Sequence, residues 1–204
     1  MSQFCVNASL PCDATGQNCL TATHLDRIWR VVDQHGRRDV TDAEVRRASL
    51  LLAYPLLVDI VVRLADMAVA DHVALPGTRD VPDGSRGPSQ DFPARLVLYS
   101  GHDKTLTALL SALRLHDGRW PVLGARVVIE LAAAITGSGR GRPQYYFRLL
   151  YDGRDMTSSL EFCPDSIGKA LRGACPLDNF IYSVFYHITK RFDRGSHADA
   201  CDLR

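Results

Sequence analysis

The sequence predicts a mixed α/β chain, and three observations carry that prediction. An apolar run of strand length at 95–100 passes through a tight turn directly into a helical period at 105–115. Two β-rich segments, 126–133 and 145–151, flank a glycine- and arginine-rich spacer and read as a hairpin. Helical periods lie on both sides of these features, so helices and strands share one core. At 204 residues, 46% of them hydrophobic, the chain can bury a sizeable core of about single-domain size.

Taken in order, residues 1–24 carry Cys5, Cys12 and Cys19 without a regular apolar period and read as an irregular lead-in. Leu25, Ile28, Trp29 and Val32 then fall on one face of a helix, and His35-Gly36 follows its last apolar turn, where glycine predicts a helix end. Thr41-Asp42-Ala43-Glu44 spells a capping box for a second helix running through Leu51, Leu56, Ile60, Leu64 and Met67, with Pro55 expected to kink or split it. Residues 76–93, rich in glycine, proline and serine, read as an exposed loop. The 95–100 run reads as a buried strand, 101–104 as a turn, and Leu106, Leu109, Leu110 and Leu113 as a helix face. Leu177, Phe180, Ile181, Val184, Phe185 and Ile188 mark a last amphipathic helix.

Charge excludes rather than identifies. Twenty-four basic against 23 acidic residues leave +1, so no global field favours nucleic acid, an anionic membrane or a polycationic partner. The longest uncharged apolar run, 48–58, is shorter than the roughly 20 residues of a membrane span. The opening MSQFCVNASL has neither the basic nor the apolar region of a signal peptide. Six cysteines cluster at the two ends, with Cys163, Cys175 and Cys201 at the back. Their spacing does not suit zinc and suggests either disulfides or free structural thiols. Cys163 and Cys175 would form the most local bridge, although six cysteines allow fifteen pairings. Asn7-Ala8-Ser9 is a glycan acceptor triplet, in keeping with a secretory compartment.

One stretch carries chemistry. A strand ending in Ser100-Gly101-His102-Asp103 and passing into a helix sets an imidazole and a carboxyl beside free N-terminal N–H groups, where phosphate is favoured. Histidine donates hydrogen bonds to phosphoryl oxygens, and a protonated aspartic acid can hand its proton to a departing alcohol oxygen. The same residue types also make a plain helix cap, so the turn by itself leaves both readings open.

The wider run LVLYSGHDKTLTALLSALRLHDGRWPVLGARVVIEL resembles the second signature region of the histidine acid phosphatases. There a strand leads into S-[AG]-H-D-x-T, then L-x-x-[LV]-L-x-A-L, a W-P or F-P step, and a strand ending in E-L. Here those are residues 100–105, 106–113, Trp120-Pro121 and Glu130-Leu131. Residues 145–153 are similar to the family's R-[IVL]-L-Y-[ND]-G strand and turn, and Cys163 with Cys175-Pro176-Leu177-Asp178 to its F-C…C-P-L-[DE] segment. Within the family, the cysteine-bearing lead-in and the ending Ala198-Asp199-Ala200-Cys201 most resemble the 2-phosphoxylose phosphatase branch.

The resemblance implies an α/β fold: a partial histidine-acid-phosphatase (phosphoglycerate-mutase-like) core sheet with helices, plus part of the helical cap domain. It divides the chain into a lead-in and cap segment at 1–75, a flexible loop at 76–94 and the carboxyl-terminal part of the core at 95–204. It also implies phosphomonoester hydrolysis in two steps. A histidine in R-H-G-x-R-x-P attacks phosphorus, arginines and a second histidine hold the phosphoryl oxygens, and an aspartic acid protonates the leaving group. By motif position His102 is the second, phosphate-binding catalytic histidine and Asp103 is the proton donor. No metal and no cofactor are implied. The substrate class is a phosphorylated sugar or other phosphomonoester, with phosphorylated xylose of the glycosaminoglycan linkage region expected from the branch, in the Golgi lumen. A membrane anchor would lie upstream of this chain if there is one.

The nucleophile motif is not read here. Gln34-His35-Gly36-Arg37-Arg38-Asp39-Val40 lacks its leading arginine and its proline, and His35 follows a helical period rather than a core strand, so it reads as a helix end. The matched region is the carboxyl-terminal half, and the chain alone is expected to be inactive. A non-catalytic derivative that keeps a phosphate- or glycan-binding turn is the alternative. Lys104 stands where the family has threonine and is expected to face solvent. Gly137-Ser138-Gly139-Arg140-Gly141-Arg142 reads as a flexible hairpin loop, since no strand-to-helix context makes it a phosphate loop. Trp29 and Trp120 read as packing residues, and His116, His187 and His197 are too widely spaced to suggest a metal site.

Overall fold

The computed structural model describes residues 10–74, 94–134, 143–163, 173–188, 190, 192 and 196–201. The expected loop at 76–93, the spacer at 137–142, the triplet at Asn7 and Cys5 lie outside the described residues. Near the start, Cys12–Cys19 closes a short loop. Asp13 organises that loop by accepting from the Thr15 hydroxyl and the Asn18 amide, which together hold its carboxyl down at about 2.

Helix α1 spans Ala22–Thr41. Thr21 caps it reciprocally: its hydroxyl accepts from the His24 N–H, while its own N–H donates to His24 Nδ1 at 3.2 Å. The expected end at Gly36 is not there, because this glycine serves a close approach instead. A Cβ at Gly36 would overlap the carbonyl oxygen of Gly118, so the helix meets the 117–120 loop backbone to backbone. Asp42 is the true junction. Its N–H bonds to Arg38 O at 2.8 Å and ends α1, while its Oδ1 accepts from Glu44 and Val45 N–H groups and starts α2. Thr41, expected as the cap, still belongs to α1 and turns its hydroxyl back to Arg37 O.

Helix α2, Ala43–Ala74, runs unbroken through Pro55, so the proline does not split it. The ring removes the N–H that would bond to the carbonyl of Leu51. His197 supplies the missing donor, its Nε2 lying 2.8 Å from Leu51 O, which requires the proton on that nitrogen. His197 stacks on Tyr54 at 5.2 Å, docking the final helix α5 (His197–Cys201) onto α2. Leu50, Ala53, Leu57, Ile60 and Val61 form the buried stripe of α2. Over Ala43–Ala70 the helix is long and apolar enough to cross a membrane by length and composition. The uncharged run in the sequence stops at Asp59, whereas the helix continues past it to Ala74, with Asp59 and Arg63 paired at i,i+4 on its surface.

Helix α3 spans Asp103–Ala112. The hairpin forms as expected, one residue longer at the Ala134 and Gln144 end: β1 (Val127–Ala134) pairs antiparallel with β2 (Gln144–Tyr151), from Val127↔Tyr151 to Ala134↔Gln144. On its other edge β2 pairs with two short strands, β3 (Arg154–Asp155) and β4 (Cys175–Pro176). Asp152 and Gly153 both adopt positive φ, the two-residue turn that matches strand twist and favours Asp-Gly. Cys163–Cys175 bridges the segment after β3 to β4. The expected amphipathic helix after Cys175 is α4 (Leu177–Tyr182), which continues as a π-helix over Ser183–Ile188 and buries Leu177, Phe180, Val184 and Ile188. Phe180 stacks on Phe147 of β2 at 4.9 Å and on Phe162 at 5.6 Å. The fold is therefore α/β with a small antiparallel sheet, a partial core as expected.

The 95–100 run departs from expectation. It forms no regular element, bending at Arg95 and pairing with no strand among the described residues, and Leu96 and Leu98 are 76% and 85% exposed. A strand needs a neighbour for its N–H and C=O groups, and the β1–β4 sheet offers none at this point.

Two substitutions test these contacts. Gly36→Ala gains about 1 kcal/mol of helix propensity in isolation, yet thermal denaturation is expected to show a lower midpoint, because the new methyl collides with Gly118. His197→Ala is expected to cost about 1–2 kcal/mol in urea unfolding by orphaning the Leu51 carbonyl. In a Pro55→Ala background, where the helix bonds that carbonyl itself, the cost should shrink.

Candidate active site

The site begins where the 95–101 segment enters α3. His102 is the N-cap residue, with φ −98° and ψ 169°, and its carbonyl accepts from the Thr105 and Leu106 N–H groups at 2.9 and 3.2 Å. Its imidazole makes no capping bond, so the side chain is not consumed by the helix end. Gly101 precedes it with the Thr105 side chain close against its Cα, in space that a Cβ would crowd at 3.1 Å. Asp103 opens the helix. Its Oδ1 accepts from the Lys104 N–H at 2.7 Å and its Oδ2 from the indole Nε1–H of Trp120 at 2.9 Å. Each carboxyl oxygen keeps a second lone pair, so the group can still carry and deliver a proton.

Trp120, a packing residue by its sequence pattern, also holds the Asp103 carboxyl. It lies seventeen residues from Asp103, so nothing local in the sequence joins them. The W-P step of the family pattern was the one signal that could have singled it out. Its position is set by the 117–120 loop, where Asp117 Oδ1 accepts from the Arg119 N–H at 2.9 Å and Gly118 takes φ +81° against α1. Arg126, at the entry to β1, is anchored through its N–H to Asp152 Oδ1 at 2.9 Å.

His102, Asp103 and Lys104 are all exposed, so the turn lies at an open surface rather than in a closed cleft. Lys104 faces solvent as expected. His35 is exposed within α1 instead of standing in a turn after a strand. Arg148 pairs across the hairpin with Glu130 at 2.8 Å, with both side chains about half exposed. His116 is buried with neither ring nitrogen bonded among the described residues. No group of three or more potential metal ligands gathers among the described residues. On the upstream side of the turn, the Tyr99 phenol donates to Asp59 Oδ2, which also accepts from Arg63 Nε. These two bonds, Arg63 first, hold the Asp59 carboxyl below its ordinary range, and burial pushes the Tyr99 phenol up.

A His-Asp pair thus stands at the mouth of α3, with Trp120 from the loop before β1 bonded to its carboxyl. The chain belongs to the histidine phosphatase superfamily (branch 2), whose family model matches residues 45–152. It is 29% identical over 208 residues to 2-phosphoxylose phosphatase 1 of Xenopus tropicalis, covering 100% of this chain and 36% of that protein. It is 31% identical over 208 residues to the Mus musculus protein of the same name, covering 98% and 37%. Lysophosphatidic acid phosphatase type 6 of Bos taurus is 29% identical over 113 residues, 55% of this chain and 23% of that protein. The chain thus spans little more than a third of the first relatives it matches. No solved structure matches it.

The Trp120–Asp103 bond has a direct readout. In Asp103→Ala the indole N–H loses its acceptor, and its proton resonance is expected to move upfield and exchange faster in NMR spectra. An unmoved indole signal would show that the bond is not made in solution.

Proposed function

We propose that this chain supplies the acid-and-anion half of a phosphomonoesterase site, with His102 holding the phosphoryl group and Asp103 protonating the leaving oxygen. The observation that carries the reading is the geometry of the turn: an uncommitted imidazole at the N-cap of α3, next to a carboxyl fixed by two N–H donors. In hydrolysis the bond from phosphorus to the leaving oxygen breaks, that oxygen takes the Asp103 proton, and imidazole N–H donation to a non-bridging oxygen offsets the charge that builds there. The displacing nucleophile, a histidine in R-H-G-x-R-x-P by resemblance, is not read among these 204 residues. The open surface at His102 suits the same view, since a ligand site buries most of its ligand and this one has a single wall.

The substrate class is a phosphorylated sugar, with phosphorylated xylose favoured because the relatives matched over nearly the whole chain are 2-phosphoxylose phosphatases. Residues 1–75 act as lead-in and cap, 76–94 as a connecting loop and 95–204 as the carboxyl-terminal part of the catalytic core. The reaction needs no metal or cofactor, and nucleic acid is not a partner. The disulfides at Cys12–Cys19 and Cys163–Cys175 favour the oxidising secretory lumen, and the relatives' chemistry favours the Golgi within it. A second reading, a phosphate- or glycan-binding protein without catalysis, draws on the missing nucleophile motif.

The test combines binding and turnover. The chain alone is expected to bind inorganic phosphate through His102, lose that binding in His102→Ala, and hydrolyse p-nitrophenyl phosphate negligibly at acid pH. Ready hydrolysis that vanishes in His35→Ala would instead make His35 the nucleophile. Phosphate binding indifferent to His102 would remove the site assignment.

A further inference from the structure

Tyr99 stands three residues before His102, and its hydroxyl reaches forty positions back to Asp59 on α2. The same oxygen, Asp59 Oδ2, accepts from Arg63 Nε at 2.9 Å, one helical turn further along. Arg63 therefore braces the carboxylate against α2, and the phenol hangs the 95–101 segment on it. Because the Asp59 carboxyl is held below its ordinary range, by Arg63 first and Tyr99 second, it stays ionised into mildly acid solution. This tie matters because the 95–100 run has no strand partner among the described residues to fix its direction. Downstream, the turn is secured by the two N–H bonds to His102 O and by the Trp120 bond to Asp103.

We propose that Tyr99 and Asp59, braced by Arg63, are positioning residues that set the backbone entering the turn and so aim the His102 imidazole at its phosphate. The inference rests on the reading of His102 as a phosphate-binding group. Neither residue touches the phosphate itself. Tyr99 acts through the peptide chain of 100–102, and Asp59 acts through Tyr99. A hydroxyl bond to a charged acceptor is of the scale that changes an equilibrium by about tenfold.

Tyr99→Phe in the full chain deletes only that hydroxyl. Two readouts are taken by NMR: hydrogen exchange at the Thr105 and Leu106 amides, which bond to His102 O, and inorganic phosphate affinity from the His102 Cε1–H resonance. The expected result is exchange about tenfold faster and phosphate binding about tenfold weaker, with the global unfolding midpoint essentially unchanged. Asp59→Ala should reproduce both effects, and the double variant should add little to either. Unchanged exchange and affinity in Tyr99→Phe would overturn the proposal, as would a fall in global stability with phosphate affinity intact, the signature of a merely structural tie. If the wild-type His102 resonance ignores phosphate, the phosphatase reading fails instead, and the exchange data alone then decide whether Tyr99 orders the turn. Should Asp59→Ala not fold, the conservative Tyr99→Phe still decides.

Discussion

Helix α3 buries Thr107, Ala108, Leu109, Leu110 and Ala112 within a span of ten residues, and that burial sets where its first turn points. Leu110, Leu57 and Leu149 are among the most deeply buried side chains, and each comes from a different element: α3, α2 and β2. Once three elements share one apolar centre, α3 cannot slide or roll without opening voids, because interiors are packed at near-crystalline density. His102 and Asp103 are carried to the surface by the same helix whose later residues are locked in the core. A rigid scaffold thus ends in a polar turn, where the Asp103 carboxyl helps fix the local structure while the His102 imidazole makes no capping bond.

The turn is fixed by contacts from three directions. Trp120 arrives from the loop before β1, the helix N–H groups from below, and Tyr99 from the segment leading in. Trp120 in turn depends on α1, since Gly118 lies against Gly36 and nothing larger than glycine fits at that crossing. Helices α1 and α2 and the loop before β1 therefore converge on the same few residues. That convergence explains why a lead-in helix with modest burial of its own still bears on the site.

Much of this was legible in the sequence where a single local pattern decides the outcome. The α3 period, the β1–β2 hairpin and the helix that opens at Leu177 follow from spacing alone, and the His-Asp turn from its place between a run and a helix. The failures share one cause. Gly36 reads as a stop signal because glycine usually ends helices, yet here it serves a contact made eighty-two residues away. The capping box at Thr41 is one residue early because Asp42 competes for the same N–H groups with a better-placed carboxylate. Residues 95–100 have the composition of a strand, but composition cannot provide a partner, and exposure of Leu96 and Leu98 is the result. Trp120 was invisible as a ligand of Asp103 for the same reason, since no local rule links residues so far apart.

The proline in α2 has a meaning beyond its own helix. By withholding one hydrogen, Pro55 leaves a carbonyl that only a visiting donor can answer, and His197 is that visitor. A flaw in one element thereby becomes the address of another. What the imidazole is worth to the molecule therefore depends on a ring a hundred and forty-two positions upstream.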